Sequence, residues 1–332
     1  MGYTSEWRVY RVNAQTWADA DEIRGFKSAS VSREDGKLVE SGSIEIDTSD
    51  EIDECYVRLA MVASVDGTHD RIDVATLLCT TTGGNWDGAT VTLNGRSVLY
   101  PASRALYDDG AWCSSSVDAV QWAARELEKV VQAPVTYQGG FELSEPLVFD
   151  LGASVLDSVR QVLDSGGYMI ATDGRGVISL VPKPTEPIVT IDTSNARLLM
   201  PGGVSSKDYA NVPNKYTARM GKSIARAVND SIDSPVSTVS RGYRVDFLDT
   251  SPTPTGGETL QGYAERKLEE LSTVPIEQTY TREWVEGVNP GYLVRLSIGD
   301  MGDYRVMSQS YECGAGITVT EKVRKEVRLW TR

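Results

Sequence analysis

Apolar and polar residues alternate with a period of two over most of the first hundred positions, as half-buried strands require. Trp7-Arg8-Val9-Tyr10-Arg11-Val12 shows the pattern first. Ala29 to Arg33 and Ser43 to Asp47 repeat it around an Asp35-Gly36 turn signal, and Tyr56 to Val62 and Ile72 to Leu78 continue it. Thr90 to Leu93 precedes Asn94-Gly95, which predicts a hairpin turn into Ser97 to Tyr100. About six short strands at this spacing predict an antiparallel barrel or sandwich over residues 1–105.

From 106 to 187 the period lengthens. Val117, Val120, Ala124, Leu127 and Val131 make one apolar stripe, predicting a helix over 116–131 that starts at the Ser114-Ser115-Ser116 cluster and ends before Pro134. Val155, Val159, Val162 and Leu163 make a second stripe, with Ser154 as N-cap and Asp157 answering it. Gly166-Gly167 stops that helix. Tyr168 to Thr172 and Val177 to Val181 then form strands about an Asp173-Gly174-Arg175-Gly176 turn, so that 154–182 is a helix–hairpin unit closed by Pro182. Pro182, Pro184 and Pro187 form a stiff connector.

Strands return after 187, at Ile188 to Ile191, Asn214 to Met220 and Tyr243 to Phe247, the last among Pro235, Pro252, Pro254 and Gly256-Gly257. Leu260, Ala264, Leu268 and Leu271 define a third helix, and Tyr292 to Leu296, Asp303 to Met307 and Val319 to Leu329 close the chain as strands. The expected fold class is β-rich α+β. It holds two antiparallel β-barrels, 1–105 and 188–250 with 275–332, plus a smaller peripheral α/β domain at 106–187 and a helical insertion at 251–274.

Composition narrows the function classes. The 332 residues include 40% hydrophobic and 24% charged residues, an ordinary globular profile. A net charge of −14 argues against stable binding to nucleic acid or an anionic membrane, both of which need a positive face. No apolar run is long enough for a membrane anchor, and MGYTSEWRVYRV lacks a signal-peptide core. Glu6 stands where a myristoylation motif wants Ser or Thr. Synthesis in a cytoplasm without standard secretion is expected.

Candidate chemistry is sparse. The single histidine, His69, lies in a turn-rich run, and Cys55, Cys79, Cys113 and Cys313 are dispersed without a CxxC pair. They read as small buried hydrophobes. No phosphate-binding GxxxxGK[ST] loop and no GxSxG elbow occur. The acidic run Asp47, Asp50, Glu51, Asp53 and Glu54 lacks the spacing and glycine of a calcium loop and reads as a solvated segment. A pair of catalytic carboxylates stays open, because separation is invisible in a sequence. No residue is assigned to catalysis, to a cofactor or to a metal, and no cofactor is expected.

Several stretches together resemble the tail-tip or baseplate hub proteins of tailed bacteriophages. They are Val155 to Pro182, with its short helix, glycine pair, Tyr168…Asp173-Gly174-Arg175-Gly176 hairpin and Leu180-Val181-Pro182 close; Asp208 to Tyr216; Leu260 to Leu271; Asn289 to Val294; and Gly302 to Val306. The resemblance implies two related tube domains per chain with peripheral α/β domains outside. It implies a homotrimer forming a pseudo-hexameric ring that joins the tail tube to the tip and gives DNA a channel. Expected partners are distal tail or tail-tube proteins, the tape measure protein, and tip, fibre or receptor-binding proteins, in the virion tail. A peptidoglycan-cutting domain, fused in some members, is not expected, nor is enzymatic activity. An acidic inner wall would let DNA pass without adsorbing, though solubility explains the charge equally well. The alternatives are a carbohydrate- or receptor-binding tail module, favoured by exposed Tyr and Trp, and a tail-associated glycosidase.

Overall fold

The computed structural model describes residues 3–35, 40–48, 52–65, 68–84, 90–192, 204–252, 254, 258–285, 287–297, 299–314 and 316–330. Two compact units result: unit 1, Met1–Gly202 with Tyr280–Lys322, and unit 2, Gly203–Thr279 with Val323–Arg332. Gly36, Asp50, Glu51 and Gly256-Gly257, all singled out in the sequence, lie outside the described residues.

Unit 1 opens with β1 (Tyr3–Val12), β2 (Asp19–Ile23), β3 (Phe26–Glu34), β4 (Ser41–Asp47), β5 (Cys55–Val65), β6 (Thr68–Gly84) and β7 (Thr90–Ser97). They lie side by side in the order β3-β4-β7-β6-β5-β1-β2, every neighbour antiparallel. Alternation along each strand sends Val9, Val31, Ile44, Ile46, Leu59, Leu77 and Leu93 into one core.

The Asn94-Gly95 pair departs from the expected turn. It makes no hairpin turn: β7 runs straight through it, with Asn94 opposite Ser43 on β4 and Thr81 on β6. A Cβ on Gly95 would lie 2.6 Å from the Leu77 Cβ, so the glycine answers a close side-chain approach inside the sheet. The following residues, read as a strand, instead begin a helix, α1 (Tyr100–Arg104), with Pro101 in its first turn.

The peripheral part of unit 1 continues with β8 (Ala111–Cys113), α2 (Ala119–Glu128), β9 (Val135–Tyr137), β10 (Leu147–Phe149), α3 (Val155–Ser165), β11 (Tyr168–Thr172) and β12 (Ile178–Pro182). α2 is shorter than the expected 116–131. The Asp118 carboxylate, not the serine cluster, caps it by accepting from the Val120 and Gln121 amides at 2.9 and 3.1 Å. The Ser154 hydroxyl caps α3 by accepting from the Asp157 amide at 3.4 Å. Val120, Ala124 and Leu127 of α2 meet Val155, Val159 and Leu163 of α3 over the β11–β12 hairpin. β9 adds to that hairpin parallel to β12, and β8 pairs with β10 as a separate antiparallel ribbon.

After β13 (Val189–Ile191) come the elements of unit 2: β14 (Val204–Lys207), β15 (Lys215–Met220), β16 (Ser223–Val228), α4 (Thr238–Arg241), β17 (Asp246–Asp249) and α5 (Leu260–Leu271). β15 is the centre of a three-stranded sheet, antiparallel to β16 and parallel to β17. α5 lays Tyr263, Ala264 and Leu268 on Tyr216, Ala218, Ala225 and Ala227 of that sheet. The strand expected at Tyr243–Phe247 is displaced to Asp246–Asp249. The Asn214 side chain occupies the backbone of the earlier residues, donating to the Tyr243 carbonyl at 3.0 Å and accepting from the Val245 amide at 2.8 Å.

The last strands are β18 (Thr273–Glu283), β19 (Leu293–Leu296), β20 (Gly302–Cys313) and β21 (Ile317–Arg328). In unit 2, β14 pairs with the first half of β18. In unit 1, β20 lies antiparallel to β3, from Ser308 opposite Glu34 to Cys313 opposite Ala29, and so joins the C-terminal strands to the N-terminal sheet. β21 and β18 follow on the far side of β20, while β19 pairs with both β20 and β13. The architecture is a β-rich α+β fold with large antiparallel sheets. Among the described residues the strand path of unit 1 stays open, running from β18 to β2 without closing into a barrel.

Candidate functional site

The residues that could carry chemistry are scattered. His69 pairs in register with Ser64 near the end of the β5–β6 hairpin. Cys55 and Cys79 are direct cross-strand partners on β5 and β6, and all four cysteines are free thiols. Burial pushes Cys79 and Cys313 up to about 12, so both stay protonated and behave as small apolar side chains. Asp47, from the acidic run, is held by Lys27 at 3.2 Å and by the Thr90 hydroxyl at 2.8 Å. Among the described residues no three His, Cys, Asp or Glu side chains are placed to hold a metal ion. No helix among them is long and apolar enough to cross a membrane.

The strongest electrostatics lie inside unit 1. Glu321 on β21 is fully buried and accepts both arms of Arg282 on β18, at 3.0 and 2.8 Å. Gln309 on β20 donates to the same carboxylate at 2.6 Å, and the Tyr280 hydroxyl donates as well. Tyr311 donates to Gln309 at 2.6 Å, and its ring lies beneath the Arg33 guanidinium, 5.3 Å away. Arg33 on β3 in turn donates to Glu40 at 2.8 Å, to Asn289 at 3.1 Å and to the Val74 carbonyl at 3.0 Å. Burial raises the Glu40 carboxyl, and Arg33 offsets part of that rise. Each charge here is matched by an opposite one, as burial demands. The network ties β3, β18, β20 and β21 together and leaves no unpaired base or nucleophile.

Strand alternation carried a signal for this network. On β18 the buried positions are Val274, Ile276, Gln278, Tyr280 and Arg282, so a period-two reading puts Arg282 on the apolar face. The same reading puts Glu321 in line with Ile317, Val319 and Val323. A charge on each inner face is a reason to look for a pair.

Other charges sit in a cleft beside Asn289, where Arg71 binds Asp73 and Asp19, each at 2.6 Å, and Arg175 reaches Asp73 at 3.2 Å. The surface offers contacts of a different kind. β2 is an edge strand bearing Asp19, Asp21 and Glu22, charges that discourage stray strand pairing. The β8–β10 ribbon in unit 1 exposes Trp112 and Val148, and the unit 2 sheet exposes Ile224, Val228 and Leu248 on the face away from α5.

The sequence matches no protein-family model and no curated protein. Solved structures do match. The 43 kDa tail protein of prophage MuSo2 from Shewanella oneidensis is similar over 97% of this chain and 98% of its own, with a TM-score of 0.62 and 14% identity. The tail protein from Neisseria meningitidis MC58 is similar over 96% of each chain, with a TM-score of 0.61 and 14% identity. A chain of the half-lidded Francisella PdpA–VgrG complex is similar over 98% of this chain and 58% of its own, at a TM-score of 0.58 and 6% identity. Likeness at such identities establishes fold. This chain has the fold of prophage tail proteins, as its resemblance to tail hub proteins implies.

Proposed function

We propose that this chain is a structural hub protein of a bacteriophage tail tip or baseplate, and that it performs no catalysis. The supporting observation is the end-to-end likeness to two tail proteins, one of them from a prophage, which takes in nearly the whole of both chains in each comparison. The internal chemistry agrees. Its deep charges are spent on pairing strands, and its buried thiols are held protonated.

In this role three copies form a pseudo-hexameric ring. Residues 1–105 and 188–250 with 275–332 serve as the two tube domains, 106–187 as the peripheral α/β domain, and 251–274 as a helical insertion. The open strand path in unit 1 supports the ring, because neighbouring copies can cover edges that the single chain leaves unpaired. The ring joins the tail tube to the tip, with tail-tube, tape measure and tip, fibre or receptor-binding proteins as neighbours. Its acidic wall gives DNA a passage without a binding site, since phosphate contacts require Lys and Arg.

Native mass measurement tests the assembly. Three copies of a 36.2 kDa chain give a species of about 109 kDa. A chain that remains monomeric at every concentration, or closes as a hexamer, would show the ring proposal to be wrong.

A further inference from the structure

Two exposed apolar patches of opposite charge lie on this chain, one in each unit. The first is the β8–β10 ribbon. Its inner face, Cys113 and Phe149, is buried, and Phe149 stacks on Trp122 of α2 at 5.9 Å, so the ribbon has a firm backing. Its outer face pairs Trp112 with Val148 across the strands, and they are 63% and 73% exposed. Leu151 is exposed just beyond β10. The two segments that build the ribbon, 105–118 and 141–155, contain six acidic residues and no Lys or Arg. Asp108, Asp109, Glu145 and Asp150 are all exposed, and none is paired with a base among the described residues.

The second patch is the outer face of the β16-β15-β17 sheet. Because α5 takes Tyr216, Ala218, Ala225 and Ala227, alternation turns Arg219, Ile224, Arg226 and Val228 the other way. Arg219 stands opposite Ile224, Arg226 opposite Thr217, and Thr217 beside Leu248. Ile224 and Leu248 are 51% and 62% exposed. The hairpin 215–228 contains four basic residues and no Asp or Glu. Lys215 is engaged by Asp246 at 2.6 Å, whereas Arg219, Lys222 and Arg226 have no carboxylate partner among the described residues.

We propose that the acidic ribbon of one copy seats on the basic sheet face of a second copy. This names a contact for the ring proposed above and rests on that ring. An apolar centre with a charged rim is the anatomy of a protein interface, and opposite rims give it register and orientation. Ribbon on ribbon would bring carboxylates together, and sheet on sheet would bring guanidinium groups together. The contact is therefore heterologous, head to tail, which is the kind that generates rings when its rotation closes. DNA would satisfy the arginines but leave Ile224, Val228 and Leu248 in water, so a protein surface is the better occupant.

Single-cysteine additions test the contact directly. Full-length Val148→Cys and Leu248→Cys chains, carrying different tags, are mixed and treated with a short thiol cross-linker. The expected product joins the two tags, with little joining of like to like. Charge reversal gives a second readout. Arg219→Glu with Arg226→Glu, and separately Asp109→Lys with Asp150→Lys, should each weaken assembly about ten-fold or more at low salt. An equal mixture of the two reversed chains should recover a reversed-to-reversed contact, and the losses should shrink as salt rises. Unchanged melting temperatures would establish that the variants fold.

Trimers that form with full affinity in both reversed variants would overturn this contact and leave the ring intact. A wild-type chain that never assembles would overturn both. Sheet-face variants that lose binding to a short DNA duplex while assembling normally would assign the face to a polyanion and overturn the contact.

Discussion

Glu321→Gln is expected to be among the most damaging near-isosteric changes available in unit 1. Its carboxylate collects four donors, two from Arg282 at 2.8 and 3.0 Å, one from Gln309 at 2.6 Å and one from the Tyr280 hydroxyl. Glutamine keeps the shape but loses the charge, and it replaces one acceptor with an amide nitrogen that must face a donor. Arg282, only 1% exposed, becomes a buried cation without an anion. Removing one partner of a buried pair costs about 3–5 kcal/mol. An exposed pair such as Arg295–Asp303 is screened by solvent and contributes little by comparison. For a unit of this size each kcal/mol lowers Tm by about 2–4 °C, so the expected drop is roughly 6–20 °C.

Thermal and urea unfolding, followed by circular dichroism, measure this loss. The control is Arg282→Met with Glu321→Leu, which removes both charges and should cost far less than the single change, because the pair's own desolvation cost disappears with it. A Glu321→Gln chain within about 1 kcal/mol of the parent would refute the reasoning, as would a double variant less stable than the single one.

Gly95→Ala should destabilise by about 1–3 kcal/mol in urea unfolding, because its Cβ would sit 2.6 Å from that of Leu77; an unchanged midpoint would mean that the sheet opens freely there. Asp249 is held below the usual carboxylate range by the Tyr216 hydroxyl at 2.7 Å above all, with help from the Ser251 amide and Tyr263. A lowered folded pKa means that its contribution is present above the unfolded value, about 4, and is lost as pH falls below it. Unit 2 should therefore weaken on acidification, and Asp249→Asn should be less stable at pH 7 with a flatter acid profile. Identical acid profiles for the two chains would exclude this role.

What was legible in the sequence was what is local. The helix at Val155–Ser165 and its hairpin are written in a cap, a stripe, a glycine stop and an Asp-Gly turn within thirty residues, and each works through neighbours in sequence. Strand alternation likewise reported which face of each strand is buried. Three features depart from their local pattern because a distant residue decides them. Asn94-Gly95 has the composition of a turn, but Leu77 fills the space beside it. Ser114-Ser115-Ser116 and Asp118 are equally good caps, and only the fold aims one carboxylate at the Val120 amide. Tyr243 to Val245 has strand propensity, but the Asn214 side chain takes its backbone groups. The pairing of β3 with β20 joins residues nearly three hundred positions apart, and alternation says nothing about which strand lies alongside.

The buried charges connect that long-range pairing to assembly. A strand slipped by one residue exchanges its two faces. Slippage of β18 against β21 would turn Arg282 toward solvent and strand Glu321 in the core without a cation, at a cost of several kcal/mol. Arg33 imposes the same penalty on β3, through Glu40, Asn289 and the Val74 carbonyl. An apolar core would tolerate near-equivalent registers more readily, because one aliphatic contact substitutes for another. In the proposed ring, a chain that presents sheet edges to identical neighbours has reason to forbid such slippage. An edge displaced by one residue, about 3.4 Å, would offer its hydrogen bonds out of step with the next copy. The polar network costs desolvation and performs no chemistry, yet it fixes the position of the strands on which the proposed ring depends.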